Sequence, residues 1–296
     1  MAIRIVTDST CDLPQEIIRK YDLTVLPFPI RFGEEEFLVG PDETDPKNIP
    51  VEKFFERIAA GEIASTSQIG MDAYAEAFGA IMEQGDDILY LCFSSGCTGT
   101  INSARLAGEE LKEKYPDRTL RTVDTLSESL GEGMLVVLTA EYLAGEQPDL
   151  ETLAKYAEET RLHVHHYFTI ADLKYLARGG RLSNTAAIAG TILNLKPVLD
   201  TNTEGKLVAR EKVQGRKKAL RALADRYLNL CDDKDMSPLY IGHGHCEEDA
   251  QAVARMIEEK CGRKVDIINS ITPVISAHCG IGTVAVFFVS KQERAN

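Results

Sequence analysis

An α/β fold in two domains is what this sequence predicts, and three observations lead there. Short β-rich runs alternate with amphipathic helical stretches along the whole chain, the pattern that packs helices onto a sheet. Four such strand-helix units fall in the first half, which predicts an N-terminal domain built on a doubly wound, mainly parallel sheet with helices on both faces. The turn TNTEGK (residues 201–206) joins two strand-like runs in the second half, a hairpin signal that places antiparallel pairing, and so a mixed sheet, in a C-terminal α/β domain. The boundary is expected near residues 150 to 165, at the polar stretch 145–162, giving domains of residues 1–160 and 161–296.

The elements follow in order. IRIVTDS (3–9) opens as a strand and passes through TCDLP into a helix, QEIIRKYD (15–22). LTVLPFPIRF (23–32) is extended, and its two prolines place it at an edge or in a loop, because proline lacks the N–H that a central strand must donate. Residues 51–62 and 71–85 have helical periodicity, DILYLCF (87–93) reads as a buried strand, and 101–115 as a helix. RTVDT (121–125) is a strand, followed by a long helix from Glu128 to about Ala144. In the second half HHYFTIADL, the two arms of the TNTEGK hairpin, SPLYIGHG, KVDIINSI and VAVFFVS supply strands, with helices at 216–230 and 247–259.

Composition bounds the function. The 44% hydrophobic content of 296 residues supports a full core and excludes disorder. A formal charge of −13 argues against nucleic-acid binding, which wants a concentrated basic surface, and against electrostatic attachment to anionic lipid. The N-terminus lacks the apolar run of a signal peptide, and no window approaches the ~20 apolar residues of a membrane span, so a cytoplasmic location without integral membrane contact is expected. Seven cysteines without a CxxC pair suit a reduced compartment. The nearest approach to a metal pattern is His243-Gly-His245-Cys246, with His163, His165 and His166 as a weaker cluster; no second pair lies at zinc-like spacing, and no metal is expected.

The stretch from Asp172 to Pro197 carries the most chemistry. Arg181 follows Gly179 and Gly180 and precedes an uncharged apolar run from Leu182 to Leu195, so a guanidinium fork fit for a carboxylate or phosphate sits beside apolar sequence. A helix, a glycine cap and a surface arginine would read the same way. Two hydroxyl clusters, Ser65-Thr66-Ser67-Gln68 and Ser94-Ser95-Gly96-Cys97-Thr98-Gly99-Thr100, precede helical stretches and suit anions, because the amides and dipole of a helix start point at such a ligand. Ordinary N-capping explains either cluster alone. His278 stands in an apolar run beside Gly280 and Gly282; a lone histidine there is most often a core residue, but the glycines would let backbone amides approach a ligand. No GxxxxGK[ST], no GxGxxG after the first strand and no GxSxG elbow is present, which argues against a nucleotide site and a serine hydrolase.

Taken together, IVTDSTCDLP, STSQ, SSGCTGTINSA, DLKYLARGGRLS, LKPVL and PVISAHCGIG resemble, in order and spacing, the DegV family of bacterial fatty-acid-binding proteins, which includes the acyl-binding subunits of fatty acid kinase. The resemblance spans nearly the whole chain. It departs mildly where Ile69 follows Gln68 in place of the family's usual proline, and where Thr98-Gly99-Thr100 stands for its usual SGT. It implies a DegV-like two-domain fold with a long-chain fatty acid, such as palmitate, stearate or oleate, in an apolar tunnel between the domains. The implied carboxylate ligands are Ser65 or Thr66, Ser95, Arg181 and His278, with Thr98, Gly280 and Gly282 as additional contacts. Ala186 to Leu195 and Ile271 to Ile281 are the candidate tunnel wall. No cofactor and no catalytic residue are implied; the expected partner is a separate ATP-dependent kinase that would phosphorylate the presented carboxylate. Two other readings stay open: a lipid carrier or sensor without a kinase, and an enzyme acting on a small anionic metabolite in a short polar pocket.

Overall fold

The computed structural model describes residues 2–42, 44–181 and 194–296. In chain order the described elements of the first half are β1 (Ile3–Asp8), α1 (Gln15–Lys20), β2 (Thr24–Leu26), β3 (Phe28–Phe32), β4 (Glu35–Val39), α2 (Val51–Ala59), β5 (Ala64–Thr66), α3 (Met71–Glu83), β6 (Asp87–Cys92), α4 (Thr100–Lys114), β7 (Leu120–Asp124), α5 (Leu130–Glu146) and α6 (Leu150–Thr160). The second half adds β8 (Val164–Thr169), α7 (Lys174–Gly179), β9 (Leu195–Thr201), β10 (Leu207–Gln214), α8 (Arg216–Leu230), β11 (Leu239–His243), α9 (Glu247–Cys261), β12 (Ile267–Ser270), α10 (Pro273–Cys279) and β13 (Val284–Val289).

Strand parity explains how the first half is layered. In the parallel sheet β2-β1-β6-β7, alternate side chains part to opposite faces, so Val6, Ile88, Tyr90 and Cys92 join the core under α3 and α4, while Ile5, Leu89, Leu91 and Val123 join the core under α5 and α6. These strands are apolar on both sides because helices cover both faces, as expected of a doubly wound sheet. The N-terminal half nevertheless holds a second sheet that the sequence pattern does not announce. β4-β3-β5 is antiparallel, with Phe28 paired to Val39 and Ile30 paired to Thr66. Pro27 separates β2, an edge strand, from β3, so the expectation of an edge holds for β2 but not for β3, the central strand of the small sheet. Pro29 is tolerated there because it lies where β5 has run out of paired positions; beyond β5, its carbonyl still accepts from the Ser67 amide.

The second half forms one mixed sheet of order β10-β9-β8-β13-β11-β12, with the expected antiparallel hairpin at β9-β10 and a parallel pair at β11-β12. Phe168, Leu199, Ala285 and Phe287 face α5; Tyr167, Val198, Ile241, Val286 and Phe288 face α8 and α9. Helix α5 is therefore sandwiched between the two large sheets, touching β1 and β6 on one side and β8, β11 and β13 on the other. Its sequence is accordingly apolar nearly all round, from Leu130 to Ala140, and Leu130, Met134 and Leu135, all 0% exposed, each contribute roughly 1.5–3 kcal/mol by burial. Gly131 is required by this packing, since a Cβ there would enter the ring of His166 on β8. No described helix is long and apolar enough to cross a membrane.

Candidate functional site

A cavity of about 790 Å³ opens where the loop after β6 meets α7, α10 and the inner face of the mixed sheet. Its position at the carboxyl end of a parallel strand is where open α/β sheets place ligands. Both halves of the chain wall it. Phe28, Phe93, Phe168, Val274, Ile275 and Phe287 supply the apolar surface, and Thr66, Ser95, Arg181 and His278 form a polar corner. Of the expected wall, Ile271, Val274, Ile275 and Cys279 line the cavity, whereas residues 186–193 of the other expected segment lie outside the described residues and its last two, Asn194 and Leu195, do not line it.

Arg181 reaches the corner because α7 ends two residues earlier, at Gly179. Gly180 takes the left-handed conformation (φ 66°) as C-cap, and the chain turns out of the helix. The Arg181 Nε donates to the Cys97 carbonyl at 3.3 Å and its Nη1 to the Gly179 carbonyl. Among the described residues no carboxylate lies within ion-pair distance of this guanidinium. Gly179 is needed for close approach. A Cβ there would stand 2.5 Å from Nδ1 of His278, so the missing side chain lets α7 and α10 close on each other.

His278 sits on the last turn of α10, begun by Pro273 in the first turn, where a missing N–H costs nothing. Its Nε2 lies 2.8 Å from the Thr66 hydroxyl, and its Nδ1 is buried without a hydrogen-bond partner. Burial and the nearby Arg181 charge push the imidazole down to about 4, so at neutral pH the ring is uncharged. An orphaned donor against Gly179 would cost more than an under-used acceptor, which assigns the proton to Nε2 and leaves the Thr66 O–H free to turn toward a ligand.

The remaining expected residues are placed as follows. Thr66 and Ser65 are adjacent in β5 and point to opposite faces; Thr66 lines the cavity, and Ser65 is exposed opposite Arg31 on the other side of the small sheet. The STSQ segment is thus not a helix start, as α3 begins only at Met71. Ser95 and Thr98 line the cavity from the loop before α4, whose N-cap Gly99 provides no side-chain cap. Gly280 (φ 77°) and Gly282 (φ 83°) do not line it: a Cβ on the first would strike the Tyr175 ring and on the second would lie 2.6 Å from Ala171, so both serve the packing of α10 beside α7. Among the described residues no group of histidine, cysteine, aspartate and glutamate side chains could hold a metal. The two histidine clusters are used otherwise: His165 Nε2 meets the Gln292 carbonyl, and His245 stacks on Phe55.

Sequence reasoning passed over one group in the wall. Glu128, read only as the start of a long helix, lies just before α5 and is 8% exposed. Thr201 donates to its Oε2 at 2.7 Å and the Cys97 thiol to its Oε1 at 3.4 Å. Burial pushes its carboxyl up to about 7. No pattern around Glu128 marks it; its burial comes from β9, a strand more than sixty positions away.

Fold and cavity together define an α/β protein with a cationic corner on a largely apolar, open-mouthed cavity. The chain belongs to the DegV family: the family model, described as that of an uncharacterised protein, matches residues 2–291. A DegV domain-containing protein of Clostridium perfringens is 38% identical over 286 residues, covering 96% of this chain and 96% of its own. Among solved structures, a fatty-acid-binding DegV family protein of Thermus thermophilus superposes with a TM-score of 0.86 at 30% identity, over 98% of this chain and 100% of the other. A fatty-acid-binding DegV family protein of Streptococcus agalactiae gives 0.84 at 29% identity, over 99% and 100%.

Proposed function

We propose that this protein binds a long-chain fatty acid in the cavity, with the carboxylate at Thr66, Ser95, Arg181 and His278, and presents it to a separate ATP-dependent kinase that forms the acyl phosphate. The observation that carries the binding reading is a single cavity joining a guanidinium that has no carboxylate partner among the described residues to a wall of phenylalanine, valine and isoleucine. Its volume of about 790 Å³ falls in the range that encloses a small amphiphile. At ~0.8 kcal/mol per methylene, a chain of about fifteen methylenes contributes roughly 12 kcal/mol before ordering costs, so the tail supplies affinity. The polar corner supplies orientation, because an anion leaving water needs charge-assisted partners and Arg181 offers them. The fatty-acid-binding relatives from Thermus and Streptococcus support the same ligand class. The kinase step is the family expectation, and the exposure of Ser95 and Arg181 supports a carboxyl within reach of a second protein.

Native mass spectrometry with organic extraction of protein purified without added lipid tests the binding reading. A co-purifying C14 to C18 acid supports it; a lipid-free protein whose melting temperature is unmoved by oleate overturns it. Acyl phosphate formed only when protein, an ATP-dependent fatty acid kinase and ATP are combined supports the presenting role, and its absence leaves a carrier.

A further inference from the structure

Glu128 lines the cavity from the turn before α5. It is flanked by the loop that also holds the anion corner: the Cys97 carbonyl accepts from Arg181 while the Cys97 thiol donates to Glu128, so a single residue separates the guanidinium from the acid. Both of its oxygens already accept, from Thr201 and Cys97, and both donors are neutral. Of the charged groups around it, Arg294 favours the ionised form and Asp124 disfavours it, and burial outweighs both. Arg294, from the C-terminal segment, directs Nη1 to the Leu126 carbonyl and His166 Nδ1 and Nη2 to the Arg161 carbonyl rather than to Glu128. Lys206 pairs with Glu204, Asp124 at the end of β7 adds repulsion, and His166 is held uncharged by burial and Arg294. Leu126 (φ 50°) and Ser129 (φ 56°) bracket Glu128 in left-handed conformations that favour glycine, so the backbone holds the side chain in this wall at some strain.

We propose that Glu128 is a further ligand-contacting residue of this cavity: with both oxygens already accepting, its own carboxyl proton is the donor left to meet an oxygen of the bound acid, so that the acid anion enters together with a proton held on Glu128. This rests on the fatty-acid reading above. The raised carboxyl, titrating near neutrality before any ligand arrives, is already half-way to the protonated form, and a ligand carboxylate beside it raises it further by like-charge repulsion. Glu128 then reads the ligand's ionic state, and binding strengthens as the medium becomes more acidic.

The test uses the full chain and monomeric oleate, with affinity measured at pH 6.5 and 8.5 and proton uptake obtained by calorimetry in buffers of different ionisation enthalpy. The wild type is expected to bind about tenfold more tightly at the lower pH and to take up a fraction of a proton per oleate. Glu128→Gln, which keeps a neutral donor, is expected to bind at both pH values as the wild type does at the lower one, without the proton uptake. Equal pH dependence in wild type and Glu128→Gln overturns the proposal and leaves the fatty-acid reading standing, as does wild-type binding with no proton uptake, which needs no variant. No oleate binding by the wild type at either pH overturns both.

Discussion

Two polar clusters lie inside this molecule, and they are built on opposite terms. In the first, Thr10 Oγ1 faces Asp8 at 2.5 Å and Glu132 at 2.7 Å, Thr7 donates to the other oxygen of Glu132, and Tyr90 and the Phe93 amide close on Asp8. One hydroxyl proton cannot serve two carboxylates, so one acid is itself protonated, in keeping with the upward push that burial gives both. Every oxygen there is engaged, and the cluster ties β1 to α5. In the second, among the described residues, Arg181 meets only backbone carbonyls and His278 Nδ1 has no partner, and with the proton on His278 Nε2 the Thr66 hydroxyl keeps a free proton. A balanced polar network holds a fold together; an unbalanced one beside an apolar cavity has donors left for a ligand.

That contrast can be broken from either side. The largest effect is expected from Arg181→Ala, which should weaken oleate binding by roughly 2–5 kcal/mol while moving the unfolding free energy by less than about 0.5 kcal/mol. Titration calorimetry beside a thermal melt reads both. The mirror case is Glu132→Ala, which strands the Thr7 and Thr10 hydroxyls in the core and should lower stability by about 2–4 kcal/mol, or several degrees in melting temperature, with oleate affinity unchanged in the folded fraction. Thr66→Val removes one neutral donor from the corner and should cost about 1 kcal/mol of affinity, near fivefold, in the same calorimetry.

The smallest effect sharpens the electrostatics. In ligand-free protein His278 should titrate near pH 4 by NMR, and in Arg181→Ala its midpoint should rise, yet stay below the ordinary histidine value because burial, the larger cause, persists. A histidine depressed in the fold is protonated first in the unfolded chain, so this group's contribution to stability is present above about pH 6.5 and is lost as pH falls toward 4. A midpoint unmoved by Arg181→Ala would remove the arginine from the neighbourhood of the ring.

Much of the architecture was legible because it is local. The helix at 216–230 and the β9-β10 hairpin sit where periodicity and the TNTEGK turn place them. The small antiparallel sheet was not legible. β4 reads EEFLV with its first two side chains exposed, and β5 has only three residues, too few to show a two-residue period. For the same reason the STSQ segment left Ser65 and Thr66 equivalent, and only the register of β5 against Ile30 and Arg31 turned Thr66 inward. His278 was visible through its glycine neighbours, but Gly280 and Gly282 make room for Tyr175 and Ala171 rather than for a ligand.

Most of the longer strands and helices, the acidic balance, the lack of a nucleotide loop and the family follow from residues near one another in the chain, because periodicity, turn chemistry and motif spacing are short-range properties. The meeting of Thr66 with His278 across 212 positions, the closing of Thr201 over Glu128 across 73, and the separation of a saturated acid cluster from an unsaturated cationic corner belong to packing. Whether a buried polar group is spent or free depends on which distant donors arrive beside it, and that is decided only when the two sheets close on α5.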